Sequence, residues 1–329
     1  MKTKLSVRKN KTQKCLPLDL RIKIYKISRK LKFEGLTYKE ISDILSIEFG
    51  IKIPRDTTYR WVKYRNKPDG TFNKFISKPS QELSYVIGVF LGDGCLRTQA
   101  DNYEYAIRLK VKDKEFAEEF SRALAKILNK GKPYSVGKEN DFTRGNRIRY
   151  RAQASSKLLS NFLSKPLGNL LFYVNPFYVE FLRGLFDSDG FTAISAKEKF
   201  NVGIGLVGTD LKILKFVRQI LKENFEITCN ISPTIKPDRK VIIWGKVYTA
   251  KKTVYSLMIN KFEDVIKFYK NVGFSIKRKQ EKIKDAIDLK QKFASEEAVK
   301  KWRQIYTKSE REWVKINPDS GDSPELSSR

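Results

Sequence analysis

The chain has 329 residues, with 67 Lys and Arg against 37 Asp and Glu, a formal charge of +30 and no histidine. That length allows two or three domains, and a composition 40% hydrophobic and 12% aromatic can support packed cores. A basic excess of this size points to nucleic acid or an anionic surface, while the lack of histidine excludes Ser-His-Asp and Cys-His catalysis and His-ligated zinc.

Cys15, Cys95 and Cys229 are odd in number and far apart, so neither a disulfide framework nor a CxxC zinc site is expected. A reducing, cytoplasmic setting follows, or an organelle in a eukaryotic host. The most apolar stretch, 170–191, is interrupted by Asn175, Pro176, Glu180 and Arg183, so no spanning helix and no membrane partner is expected. The basic start MKTKLSVRKNKTQK has no apolar segment after it and does not read as a signal peptide.

Three helices are predicted over 18–66. In the first, Leu18 to about Phe33, Leu20, Ile24, Ile27 and Leu31 recur at helical spacing. The second opens at Thr37, which forms a capping box with Glu40, buries Ile41, Ile44 and Leu45, and ends near Gly50. The third begins near Asp56, after Pro54, with Trp61 for the core and Arg60, Lys63 and Arg65 outside. The unit is similar to a helix-turn-helix whose third helix reads DNA; the competing reading is a small helical domain with a solvated basic face. Pro, Gly and Ser mark residues 66–80 as a linker.

An internal repeat follows. Each copy begins with an apolar helix and continues as two strands and a helix, YAIRLKVKDKEFAEEFSRALAKIL and then FNVGIGLVGTDLKILKFVRQILKEN. A second pair of strands comes next, PYSV with RIRYRA and then ITCNISPTI with TVYSLMI, before a closing helix. The order αββαββα, twice, predicts an α+β fold in which four-stranded antiparallel sheets are backed by helices. The domains expected are 1–75 (basic N-terminus, helix-turn-helix and linker), 76–168 (first repeat), 169–286 (second repeat) and 287–329 (a charged helical extension and a disordered tail).

Strand periodicity separates the two faces of each sheet. Tyr105, Ile107, Leu109 and Val111 alternate with Arg108, Lys110 and Lys112, and Ile148, Tyr150 and Ala152 alternate with Arg147, Arg149 and Arg151. A row of arginines without an acid suits DNA, where Arg can fork onto guanine, better than an ordinary solvated face; Arg97 joins this candidate set. The second repeat offers Asn201, Gly203 and Gly205 instead, with Lys197 and Lys199 in the preceding turn placed for phosphates. Two unlike halves predict an asymmetric target.

Two segments look like copies of each other, VIGVFLGDG at 86–94 and LRGLFDSDG at 182–190, and each delivers one carboxylate at its end, Asp93 or Asp189. Gly88 and Gly92, like Gly184 and Ser188, stand at i and i+4 on one helical face. Small residues there let two helix backbones approach closely and bring the two acids together. Paired acids in a strongly basic chain suggest a metal held against a polyanion. The plainer alternative, a buried helix with a Gly C-cap and an incidental Asp, has to apply twice in the same slot.

These segments resemble the two motifs of a single-chain LAGLIDADG homing endonuclease, over roughly residues 80 to 286. Leu182, Gly184, Asp187, Asp189 and Gly190 fit the name motif; in the first copy Leu91 stands where an acid would be and Gly92 where a small residue would be. The resemblance implies a saddle of antiparallel sheets, a monomer with internal pseudo-twofold symmetry, and staggered cleavage of double-stranded DNA at a long site. It implies Mg²⁺, with Mn²⁺ able to substitute, on Asp93 and Asp189, with the Gly92 and Ser188 carbonyls as further candidates. Asp187 is expected to be a helix or interface residue. The family also places a basic residue near the scissile phosphate in each half: Lys112 fits the first and Lys277, ahead of Lys279, the second. Two alternatives remain, a maturase acting on intron RNA and a non-catalytic helix-turn-helix regulator; the intact acids weigh against both.

Overall fold

The computed structural model describes residues 16–63, 68, 75–99, 104–141, 147–243, 246–309 and 312–316. Arg65, most of the linker and the tail beyond 316 lie outside the described residues, as does Cys15. Two compact units meet in sequence between Ile76 and Ser77.

In the first unit α1 (Leu18–Phe33), α2 (Tyr38–Phe49) and α3 (Arg55–Lys63) enclose Ile24, Tyr25, Ile41, Leu45, Ile53 and Trp61. The capping box forms: the Thr37 side chain accepts from the Glu40 amide, and the Glu40 carboxylate accepts from the Thr37 amide at 2.7 Å. Gly50 closes α2 in the left-handed conformation at φ 62°, where a side chain would be strained. The buried stripe of α2 is Ile41, Ser42 and Leu45, whereas Ile44 is 40% exposed. The helix turns this way because the Ser42 hydroxyl donates to the Ile53 carbonyl and so belongs inside.

The second unit opens with α4 (Gln81–Leu91), β1 (Cys95–Gln99), β2 (Glu104–Val111), α5 (Lys114–Ile127), β3 (Gly137–Asp141), β4 (Arg147–Ser155) and α6 (Lys157–Leu163). After α7 (Leu167–Leu171) and a 3-10 turn come α8 (Tyr178–Asp189), β5 (Gly190–Ala196), β6 (Phe200–Gly208), α9 (Leu211–Phe225) and β7 (Asn230–Ile235). A small hairpin, β8 (Lys240–Ile243) with β9 (Lys246–Thr249), precedes β10 (Val254–Ile259) and α10 (Phe262–Asn271). The sheets run β1-β2-β4-β3 and β5-β6-β10-β7, antiparallel throughout, so the two repeats share one topology and the α+β class is as expected. Ile107, Leu109, Val111, Ala152 and Ala154 are buried beneath the helices, while Lys110 and Arg147 are exposed.

Two elements differ from the sequence reading. The strand expected at 133–136 falls instead at 137–141. Pro133 has no N–H for a ladder, and the Tyr134 carbonyl accepts from the Ser121 hydroxyl at 2.6 Å. Beyond 286 the chain does not stay helical to its end: α11 (Lys277–Lys292) and α12 (Ser295–Ile305) give way to a hairpin, β11 (Tyr306–Ser309) with β12 (Glu312–Lys315). Trp302, fully buried, stacks on Tyr306 at 4.0 Å and packs against Phe200 and Trp313. These aromatics fasten the C-terminal segment to the second repeat. No helix among the described residues is long and apolar enough to cross a membrane.

Candidate active site

The site is built where α4 and α8 cross. A β-carbon on Gly88 would come closer than 3.0 Å to the Phe181 carbonyl, and one on Gly184 equally close to the Tyr85 carbonyl. Only bare backbone fits, and the helices touch along their glycines. The contact continues to their ends, where a side chain on Gly92 would overlap Ser188 and lie 3.0 Å from the Asp189 carboxylate. Asp93 follows the end of α4, and Asp189 is the last residue of α8. The Ser188 hydroxyl folds back and donates to the Gly184 carbonyl at 3.0 Å.

Two carboxylates at converging helix ends oppose each other. Both are solvent-accessible, yet crowding by the surrounding protein, and after it the Asp93 charge, push the Asp189 carboxyl up to about 6, with Lys279 acting in the other direction. Asp187 faces away from this pair. It accepts from the Tyr85 hydroxyl at 3.1 Å and from the Ser275 amide at 2.9 Å, which ties α4 of the first repeat to the segment before α11. Burial raises its carboxyl to about 6. Its geometry is that of an interface residue.

Lys279 is a buried cation beside the acids. Its ammonium donates to the carbonyls of Phe186 (3.1 Å), Asp187 (2.7 Å) and Gly190 (2.7 Å) at the C-terminal end of α8, where a helix leaves carbonyls without partners. Burial lowers its pKa to about 8, against the pull of Asp187. Lys277, favoured by sequence position, instead opens α11 on its exposed side. The helical phase of α11 brings Lys279, not Lys277, to the acids.

Lys112 follows β2 and donates to Glu312 of β12 at 3.0 Å. Arg278 forks onto Asp113 and also donates to Glu312 at 2.7 Å, and Lys282 lies 3.8 Å from the same carboxylate. Nothing in the sequence singles out Arg278, Lys282 or Glu312, because only the hairpin brings Glu312 back to them.

On the outer face of the first sheet, Arg108 donates to Gln153 at 3.2 Å and Arg97 is exposed. The expected acid-free row is not found. Strand β3 sets Glu139 opposite Arg149 and Asp141 opposite Arg147. Glu139 lies 2.8 Å from Arg151 and 3.6 Å from Lys110, and Asp141 lies 3.9 Å from both Arg149 and Lys110. Lys110 and Arg151 are direct cross-strand partners, a like-charge pairing that costs stability, and Glu139 between them offsets it. In the second repeat Lys197, Lys199 and Asn201 are exposed at the β5–β6 turn, and Phe191 and Met258 cover Gly205. In the first unit Arg60 and Lys63 are exposed on α3, with the Lys63 ammonium 5.1 Å from the Tyr59 ring. Cys95 is exposed, and burial pushes the Cys229 thiol up to about 11.

The fit to a metal is that of two hard oxygen donors on converging helix ends. No cluster of three or more acids or cysteines suited to a metal occurs among the described residues, so backbone carbonyls or solvent would complete the shell.

The sequence pattern of the LAGLIDADG-like domain matches residues 80–165 and 176–273, which are the two repeats. An uncharacterised protein of Methanocaldococcus jannaschii is 35% identical over 263 residues, covering 79% of this chain and 91% of the relative. Among solved structures, a mesophilic variant of the homing endonuclease I-DmoI aligns at 20% identity and TM-score 0.40 over 58% of this chain and 88% of that one. I-WcaI, a homing endonuclease solved on its DNA recognition sequence, aligns at 18% and 0.41 over 59% and 82%. By the match of both repeats and by this relative, the chain belongs to the LAGLIDADG-like domain family.

Proposed function

We propose that the chain is a site-specific DNA endonuclease that hydrolyses both strands of a long, asymmetric duplex as a monomer. The reading rests on the convergence of Asp93 and Asp189, one from each repeat, in a chain with a charge of +30. Asp93 and Asp189 would hold a divalent ion, Mg²⁺ with Mn²⁺ as a substitute, which supplies charge neutralisation and an activated water. I-DmoI has been solved in complex with DNA and Mn. Lys279 fixes the end of α8 and with it the position of Asp189. Lys112, paired with Glu312 in the free protein, would bring a positive charge to the phosphate of the first half. The basic sheet face holds the duplex, and the three-helix unit adds phosphate contacts through Arg60 and Lys63.

The test is Asp93→Asn and Asp189→Asn. Each is expected to abolish double-strand cleavage in Mg²⁺ while duplex binding persists, because the carboxylates hold metal and read no bases. Undiminished cutting by either variant removes that acid from the site.

A further inference from the structure

Arg278 and Lys282 stand at i and i+4 on α11 of the second repeat, and Lys112 approaches from the first; all three meet one carboxylate, Glu312, at 2.7, 3.8 and 3.0 Å. Of the other acids nearby, Asp113 hydrogen-bonds Arg278 and also attracts Lys282 at longer range. Without Glu312 the cluster would hold three cations against one acid, an arrangement made for an anion. It lies beside the cleavage acids: Arg278, Lys282 and Glu312 line the same cleft as Ser188 and Gly190, the neighbours of Asp189.

Glu312 belongs to the C-terminal hairpin. It opens β12, and the next residue, Trp313, donates to the Ile194 carbonyl at 3.0 Å and packs on Trp302. Tyr306 and Lys315 both bind Asp285, at 2.8 and 3.1 Å. These contacts hold the hairpin at its aromatic side, whereas the Glu312 side chain is tied to the cluster only by charge-assisted hydrogen bonds from Lys112 and Arg278 and the longer contact to Lys282, and remains about half exposed, at 47%. Partial burial works against its ionised form, but Arg278, Lys112 and Lys282 outweigh that and keep the carboxyl below the usual carboxylate range.

We propose that Lys112, Arg278 and Lys282 form a subsite for a phosphodiester of the DNA backbone, and that Glu312 of the C-terminal hairpin occupies it until DNA arrives. A backbone phosphate carries the same charge as the carboxylate and presents it through two similar oxygens, so the two compete for the same donors. The hairpin is then a built-in competitor that weakens binding to any duplex. A correct target, with its added base contacts, is better able to displace it. The inference rests on the reading of Asp93 and Asp189 as the cleavage centre.

The experiment measures affinity of the full chain for a random-sequence 30-base-pair duplex, by fluorescence anisotropy in EDTA, so that no cleavage is needed. Glu312→Gln should tighten binding about fivefold, the size expected of losing two partly exposed ion pairs, to Lys112 and Arg278, and a longer contact to the buried Lys282. Glu226→Gln, which removes an exposed acid paired elsewhere with Lys267, should change it less than about twofold. Adding Lys282→Gln to Glu312→Gln should take back most of the gain, since the freed lysine is what the phosphate finds. Unchanged or weaker binding by Glu312→Gln, an equal gain from Glu226→Gln, or a full gain retained by the double variant would overturn the subsite. The outcomes separate the two readings. A parent that cuts no DNA while Glu312→Gln still tightens binding sinks the endonuclease alone; a parent that cuts while Glu312→Gln changes nothing sinks the subsite alone.

Discussion

The Phe181 carbonyl occupies the space that a side chain on Gly88 would need, and the Tyr85 carbonyl does the same to Gly184. The two contacts mirror each other across the α4–α8 crossing, one from each repeat. Backbone cannot move aside as a side-chain tip can. Gly88→Ala or Gly184→Ala should therefore push the helices apart, at about 1–3 kcal/mol by urea unfolding. The same displacement separates Asp93 from Asp189, so cleavage should fall further than stability does. Gly168→Ala is the control: nothing lies within 4 Å of a β-carbon there, and alanine in α7 should be neutral or slightly stabilising. Equal stability of all three variants would show that the crossing is not close.

The small residues that make this contact are visible in the sequence because helical spacing alone places them on one face. The capping box at Thr37 and the period-two face of β2 are legible for the same reason, since each depends only on near neighbours in the chain. What escapes is set by distant partners. The segment 137–141, GKEND, has no β-forming character of its own and becomes a strand by pairing with β4, which is why the acids beside the arginines go unseen. The C-terminal hairpin reads as charged helix because its anchor, Phe200 against Trp302, joins residues far apart in sequence. Lys277 and Lys279 differ by about 200° around a helix, so choosing between them requires the docked position of α11.

That choice is testable in the protein. Lys279→Met keeps the bulk of the side chain but removes the donor to three carbonyls at the end of α8. The cost should be about 1–3 kcal/mol, that of leaving buried acceptors without a partner, and Asp189 should lose its fixed position. Lys277→Met, on the exposed side of α11, should stay within about 0.5 kcal/mol of the parent. Cleavage rates should follow the same order. A larger loss of activity from Lys277→Met would restore Lys277 to the site.

The three-helix unit has a core of its own around Ile24, Ile41 and Trp61. Deleting residues 1–75 should leave the unfolding transition of the repeats in place while weakening binding to duplex DNA. Every phosphate that the shortened protein no longer neutralises lowers the dependence of log affinity on log salt by about one unit. Arg60→Ala and Lys63→Ala should each account for about one such unit if both touch phosphate. The check is a salt titration of all three variants, and an unchanged slope for the deletion would mean that the unit does not meet the duplex.

The arginines of β4 should prove unequal, because the acids of β3 reach them unequally. Arg147 is exposed near the end of its strand. Arg149 is 15% exposed, with its nearest acid oxygen at 3.9 Å, and Arg151 is held by Glu139 at 2.8 Å. A duplex on this face meets Arg147 at little cost, while Arg151 has to share or leave Glu139. Arg147→Ala should therefore weaken binding more than Arg151→Ala. If Arg147 forks onto guanine, its loss should cost about 1–3 kcal/mol and relax the preference at one base pair; if it touches phosphate only, binding should fall evenly across sequences, with the salt slope reduced by about one unit. Glu139→Gln should act in the opposite sense, freeing Arg151 and Lys110 and tightening binding. The measurement is cleavage of a target library together with a salt titration for each variant. Identical profiles and slopes for all of them and the parent would show that this face does not meet DNA.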